Sequence, residues 1–196
     1  MIKVAHRIND INLLRETPVE FGIEVDIRTF GRDLIIHHEP YERGELFEIW
    51  LEEYNHKLLI LNVKEEGLEQ KLLKLLEIKN IDNFFFLDQS FPFLIKTINS
   101  GEKRCSIRVS EYERIETAMS LKNKVDWIWL DCFDRFPITE EELFSLKNEG
   151  GFKICIVSPE LQGRSSTEEI LNYKETLNSM NFVGDAVCTK YPTLWT

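Results

Sequence analysis

The sequence has no apolar run approaching the ~20 residues that span a bilayer. Its opening "MIKVAHRIND" holds a short apolar strand but not the apolar core of a signal peptide. Those absences point to a cytoplasmic protein without a transmembrane segment. No C-x-x-C pair occurs either: Cys105, Cys132, Cys155 and Cys188 each lie in or beside an apolar strand-like run. Without metal-ligand spacing, buried reduced thiols are favoured over a zinc site assembled from four strands. A basic surplus is also missing. The 24 Lys and Arg against 34 Asp and Glu leave a formal charge of −10, which argues against a nucleic-acid or anionic-lipid surface. It leaves room for a local basic pocket. No linker, repeat block or low-complexity tract interrupts the 196 residues, enough for one core, so a single domain over 1–196 is expected.

What the chain does have is rhythm. Apolar, strand-like runs recur at 2–6, 22–30, 57–64, 84–89, 105–110, 126–132, 153–158 and 185–190. Most are continuous rather than alternating, as expected of strands covered on both faces. The short "LIIHH" (34–38) follows "GRD" and reads as a hairpin partner or extension of the second run. Helical spacing fills the intervals at 44–56, 67–80, 91–100, 110–123, 138–151 and 165–181. Thr139 is a candidate N-cap and Gly150-Gly151 a helix stop, and "SSTEE" opens the last helix in the same style. Eight strands alternating with helices predict an α/β fold, a compact (β/α)8 TIM-type barrel at the short end of that fold's range. An open doubly wound sheet is the competitor, but no Gly-rich phosphate loop follows the first strand, where "AHRIND" stands.

In such a barrel, chemistry sits where strands end. Those ends carry His6 and Arg7, Glu24 and Asp26, His38, and Asn62 and Lys64, followed by Asp88, Arg108, Asp131, Ser158 and Thr189. Period-two alternation puts Glu24 with Asp26, and Asn62 with Lys64, on one side of their strands. Charges in an apolar interior require pairing or a metal. Paired carboxylates suit a hard cation such as Mg²⁺ or Ca²⁺, two histidines suit proton transfer near neutral pH, and Arg7 and Lys64 suit a phosphate. Together they point to metal-assisted attack on a phosphodiester. The competing reading is a salt-bridge network in which Arg28, Lys64 or Arg7 simply neutralises Glu24 and Asp26.

The order "HR" after the first strand, "E-x-D" on the second, "H-E-P", then "N-x-K" on the third resembles the glycerophosphodiester phosphodiesterase family. That family's pattern is H-R, E-x-D, an H-D pair and E-x-K, and "DAVCTKYP" looks like its closing motif. The resemblance implies a TIM-type barrel hydrolysing a small phosphodiester with a divalent cation. It implies His6 and His38 as the acid–base pair, Arg7 on the phosphate, Glu24 and Asp26 as metal ligands, and Lys64 on the phosphoryl oxygens. In that family's chemistry a neighbouring substrate hydroxyl can attack phosphorus, and water then opens the cyclic phosphate.

Departures from the pattern are informative. Ile8 stands where H-R-G has glycine, and Asn62 replaces a third metal-binding glutamate, so Asp88 or Glu65 would have to compensate for the lost charge. There is no room for the family's insertion after its second histidine, a part that helps recognise glycerol. "H-E-P" aligned to "H-D-P" selects His38, while strand alternation leaves His37 open. Asp88 and Asp131 read as pocket residues or as N-caps of the following helices, Arg108 as a substrate contact, and Arg164 in "SPELQGRSS" as a phosphate or headgroup contact or an ordinary loop residue. Trp195 either covers the pocket mouth or packs; Trp127 and Trp129 read as core. The other reading of the whole is a barrel of this lineage that has lost turnover and binds a phosphorylated metabolite.

Overall fold

The computed structural model describes residues 1–164 and 166–195. Its strands are β1 (Ile2–Ala5), β2 (Gly22–Phe30), β3 (Asp33–Ile36), β4 (Glu45–Leu46), β5 (Leu59–Val63), β6 (Phe84–Leu87), β7 (Ser106–Val109), β8 (Trp127–Leu130), β9 (Lys153–Val157) and β10 (Ala186–Thr189). Its α-helices are α1 (Ile11–Glu16), α2 (Phe47–Glu52), α3 (Glu69–Ile78), α4 (Phe91–Asn99), α5 (Ile115–Ser120), α6 (Glu140–Phe144) and α7 (Thr167–Ser179). Every apolar run read as a strand forms one. Four of them, β5, β6, β8 and β10, are buried at every position, the physical origin of their largely apolar character.

The chain divides into two compact units, one of Ala5–Glu102 and one of Met1–Val4 with the chain from Lys103 onward. In the first unit, β2 and β5 are parallel with Glu24 opposite Ile60 and Asp26 opposite Asn62, and β6 continues the parallel run beside β5. β3 returns antiparallel to β2, with Ile27 opposite Ile36, and β4 pairs with β3. The "GRD" segment is therefore the hairpin turn expected. In the second unit β7, β8, β9 and β10 run parallel in order, and the Ile2 N–H donates to the Asp185 carbonyl at 2.8 Å beside β10. Parallel strands joined by helices make a mixed α/β fold of βα repeats.

Phe47, Trp50, Phe85 and Phe86 fill the core of the first unit, and Phe152 with Ile154 and Ile156 that of the second. Each such side chain contributes about 1.5–3 kcal/mol by leaving water. The four cysteines are buried, and burial pushes the Cys132 thiol up to about 12. Trp127 and Trp129 are buried, as read. Among the described residues no helix is long and apolar enough to cross a membrane.

Three helical segments differ from their sequence patterns for local reasons. The pattern over 44–56 begins instead with β4, because Gly44 passes so close to Ile36 that a Cβ would lie 2.1 Å from the Ile36 carbonyl oxygen. The pattern over 110–123 starts late: the Ser110 hydroxyl donates to the Glu113 carboxylate at 2.7 Å, and their backbones exchange hydrogen bonds, winding a turn before α5. The helix over 138–151 opens on the expected Thr139 cap, completed by Glu142 as a capping box, but widens into a π-helical turn at Ser145–Glu149. α1 was not legible as a periodic pattern. Its six residues bury only Leu14, and its start is marked by Asp10, whose side chain accepts from the Asn12 and Leu13 N–H groups. Ser166 caps α7 by accepting from the Glu169 N–H, whereas Ser165 of the expected "SSTEE" start lies outside the described residues.

Candidate active site

The polar ends of β1, β2 and β5, with the loop after β3, assemble one cluster inside the first unit. Asp26 is its hub and is fully buried. Asn9 holds it twice: Asn9 Nδ2 donates to Asp26 Oδ2 at 2.7 Å, and the Asp26 N–H donates to Asn9 Oδ1 at 3.0 Å. Arg7 Nε lies 3.7 Å from Asp26 Oδ2, and Lys64 Nζ lies 3.2 Å from Asp26 Oδ1. The Lys64 approach is an ion pair outside hydrogen-bond geometry, so Asp26 Oδ1 has no hydrogen-bond donor. Lys64 Nζ is also 3.9 Å from Asp88 Oδ2.

Glu24, equally buried, has a different set of neighbours. The Arg7 backbone N–H donates to Glu24 Oε2 at 2.7 Å, Asn62 Nδ2 donates to Glu24 Oε1 at 3.0 Å, and His6 Nε2 stands 3.8 Å from Glu24 Oε2. Arg7 reaches this position in the left-handed region, φ 54°, which a non-glycine residue adopts only against a steric cost. Its N–H is thereby aimed at Glu24. Burial, and then the charge of Asp26, push the Glu24 carboxyl up to about 7, and the Arg7 N–H, Asn62 and Lys64 only partly oppose them. The two cations have gone to Asp26. Glu24 is left with neutral donors.

Of the two adjacent histidines, His38 joins the cluster. Arg7 Nη2 donates to His38 Nε2 at 2.5 Å, and His38 Nδ1–H donates to Glu39 Oε1 at 2.6 Å. These partners select the Nδ1–H tautomer, with the Nε2 lone pair directed at Arg7. His37 turns to its own loop, where the Glu39 N–H donates to His37 Nδ1 at 3.1 Å.

Of the three partners expected for a plain salt-bridge network, Arg7 and Lys64 meet Asp26 and Arg28 does not. Arg28 Nε donates to the His38 carbonyl at 2.9 Å and pairs with Glu65 at 3.6 Å. Glu65 also accepts from the Thr29 N–H and hydroxyl. Asp88 is no helix cap, since Ser90 is the N-cap of α4. Asn9 was not singled out from sequence; the only sign of it is a polar "IND" directly after the H-R pair.

A divalent cation would need oxygen ligands. Glu24, Asp26 and Asn62 supply two carboxylates and an amide on adjacent parallel strands, and both Asp26 Oδ1 and Asn62 Oδ1 are buried oxygens without a hydrogen-bond donor. That donor set suits a hard cation. No group of three or more His, Cys, Asp or Glu that could hold a metal ion is found among the described residues.

Arg108, Asp131 and Arg164 belong to the second unit. Arg108 Nε lies 3.6 Å from Asp131 Oδ2, and Asp131 Oδ1 accepts from the Cys132 N–H at 2.9 Å and from Gln162 Nε2 at 2.8 Å. Arg164 Nε pairs with Glu169 at 3.3 Å, and Arg164 and Asp131 both act electrostatically on Cys132 and Tyr173. Asp131 is no cap either, because Thr139 caps α6. Here the sequence reading passed over Glu160. It is 1% exposed and accepts from the Ser158 hydroxyl, from the Thr189 hydroxyl at 2.5 Å and from the Lys190 N–H at 2.9 Å. Trp195 is buried and donates from Nε1 to Ser158 Oγ at 3.0 Å. Of the two readings of Trp195, packing is the one observed.

The fold is that of glycerophosphodiester phosphodiesterases. A crystal structure of a glycerophosphodiester phosphodiesterase from Agrobacterium tumefaciens str. C58 superposes with a TM-score of 0.66 at 12% sequence identity, over 100% of this chain and 99% of that one. A glycerophosphoryl diester phosphodiesterase from Parabacteroides distasonis ATCC 8503 gives a TM-score of 0.63 at 12% identity, over 98% of this chain and 84% of that one. No family model and no curated protein matches the sequence.

Proposed function

We propose that this chain is a phosphoric diester hydrolase, a divalent-cation-dependent phosphodiesterase acting on a small glycerophosphodiester-like substrate. The reading takes the whole chain as one cytoplasmic, closed (β/α)8 barrel without a nucleic-acid partner. The observation that carries it is the buried cluster in which Arg7 and Lys64 flank Asp26 while Asp26 Oδ1 and Asn62 Oδ1 keep acceptor capacity free. Glu24, Asp26 and Asn62 would hold Mg²⁺ or Ca²⁺, which when bound stabilises negative charge on the phosphoryl group.

The protein side chains have distinct tasks. Arg7, half-exposed, binds a non-bridging phosphate oxygen, and Lys64 stabilises charge on another. His38, oriented by Glu39, takes a proton at Nε2 from the attacking hydroxyl, whether water or a neighbouring hydroxyl of the substrate. His6 returns a proton to the departing alcohol oxygen. Arg108, Asp131 and Arg164 are assigned to substrate contact and Asp88 to the Lys64 side of the phosphate.

A second reading rests on Asn62. Its amide already donates to Glu24, and the cations on Asp26 already supply positive charge, so a phosphate-binding protein without turnover could use the same residues. Hydrolysis of a panel of phosphodiesters in Mg²⁺, Ca²⁺, Mn²⁺ or EDTA separates the two. Turnover that requires the cation and vanishes in His38→Ala and Glu24→Gln supports the enzyme. Folded protein that binds phosphates but turns over nothing supports the binding reading, and activity surviving both substitutions means the site lies elsewhere.

A further inference from the structure

Between β1 and α1, each residue from Arg7 to Asp10 is tied down. The Arg7 N–H donates to Glu24 Oε2 at 2.7 Å, the Ile8 N–H donates to the Glu24 carbonyl at 2.9 Å, and Asp10 caps α1. Asn9 is held between these anchors and faces Asp26 on β2. Its two bonds there fix the amide, because Nδ2 donates to Asp26 Oδ2 while Oδ1 accepts from the Asp26 N–H. The reversed amide would set donor against donor and acceptor against acceptor. The backbone bond alone would anchor the strand. The bond to Oδ2 does something further: it stops the carboxylate from turning. Oδ2 also faces the positive charge of Arg7 Nε at 3.7 Å, which repels a second cation from that oxygen. Oδ1 lies toward Lys64 Nζ, 3.2 Å away, and that ammonium has Asp88 Oδ2 at 3.9 Å as another carboxylate to pair with.

Glu24 is engaged in a similar way, its Oε2 by the Arg7 N–H and its Oε1 by Asn62 Nδ2. Neither carboxylate therefore has two oxygens without a donor, and ligation through both oxygens of one carboxylate is disfavoured at each. Ca²⁺ seeks about six to eight oxygens and commonly takes both from one carboxylate, whereas Mg²⁺ takes about one or two carboxylates and keeps several of its waters. We infer that Asn9 is a positioning residue that confines Asp26 to ligation through Oδ1 alone, and that it thereby makes the cation site selective for Mg²⁺ over Ca²⁺. The inference rests on the reading of Glu24, Asp26 and Asn62 as the residues that hold the cation. Asn9 itself touches neither cation nor substrate; it acts through the Asp26 carboxylate.

Calorimetric titration of the full chain with MgCl₂ and with CaCl₂ tests it, on wild type, Asn9→Ala, the near-isosteric Asn9→Leu and Glu24→Gln. Melting curves certify that each variant is folded. The wild type should bind Mg²⁺ more tightly than Ca²⁺. Both Asn9 variants should weaken Mg²⁺ binding by about tenfold, the usual cost of losing a partner that orients a metal ligand. They should weaken Ca²⁺ binding less, so that the Mg²⁺/Ca²⁺ affinity ratio falls by at least about fivefold. An asparagine that only stabilises the fold would weaken both cations alike, and an unchanged ratio would overturn the inference. Tighter binding of Ca²⁺ than of Mg²⁺ by the wild type would overturn it whether or not the variants fold. Binding of neither cation, or binding that Glu24→Gln leaves untouched, would overturn the cation reading of the site and the role of Asn9 with it. Selectivity that behaves as expected in a protein hydrolysing no diester would overturn the phosphodiesterase reading and leave the role of Asn9 standing.

Discussion

In cation-free buffer the Glu24 carboxyl should make the protein less stable as pH rises from about 4.5 to about 7. Glu24 is fully buried beside Asp26, and its folded-state value is raised from 4.5 to about 7. Between those two values the unfolded chain has released this proton and the folded chain still holds it. The folded state then binds more protons than the unfolded one, so stability is full below the lower value and falls as pH rises through the upper one. The gap corresponds to about 3 kcal/mol. For a chain of this size that is roughly 6–12 °C in melting temperature. The assay is urea unfolding in EDTA at about pH 5 and about pH 8, on wild type and Glu24→Gln, whose amide stays neutral throughout. Subtracting the variant removes the contributions of all other titrating groups. The wild type should lose about 3 kcal/mol relative to Glu24→Gln between the two pH values. Ca²⁺ or Mg²⁺ should restore it at the higher pH in the wild type alone. Parallel pH profiles for the two proteins would refute the reasoning, because the burial of Glu24 would then not be expressed as a held proton.

Other substitutions probe the same architecture. Asn9→Ala removes two hydrogen bonds from buried Asp26 and should destabilise the fold by about 1–3 kcal/mol in urea titrations, with a fall in any turnover. Asn62→Asp should lower stability in EDTA, since a donor to Glu24 becomes a third buried carboxylate, yet raise the affinity for Ca²⁺ measured by calorimetry. Glu160→Leu leaves the Ser158 and Thr189 hydroxyls and the Lys190 N–H without their acceptor; a loss of about 3 kcal/mol and an altered Trp195 fluorescence are expected, and an unchanged melting temperature would contradict this account.

Much of the candidate site was legible because it is written in short spacings. Glu24 and Asp26 are two apart on a strand, so their common face follows from alternation alone. The His38 choice came from the "H-E-P" spacing rather than from physics, and alternation could not decide it. The decision lies in Arg7, 31 positions away, which meets the His38 ring. Asn9 was missed because an asparagine in a loop carries no periodic signal, and its partner Asp26 is 17 positions distant. Glu160 looked like a loop acid, since nothing in "SPELQ" announces that Thr189 and Lys190 will close over it. α1 is too short for periodicity and α5 begins late because a serine and a glutamate prefer a local turn.

The amino-acid sequence by itself determined the succession of strands and helices, the hairpin after β2, and which polar residues stand at strand ends. These follow from burial on one or both faces and from turn chemistry, which act over a few neighbours. Only the tertiary structure decided which of those residues meet. The register of β2 against β5 sets Asn62 beside Asp26, the left-handed turn at Arg7 gives Glu24 a backbone donor, and both nearby cations pair with Asp26. Whether a buried carboxylate keeps its charge depends on distances of a few ångströms between residues far apart in the chain, and local pattern carries no record of them.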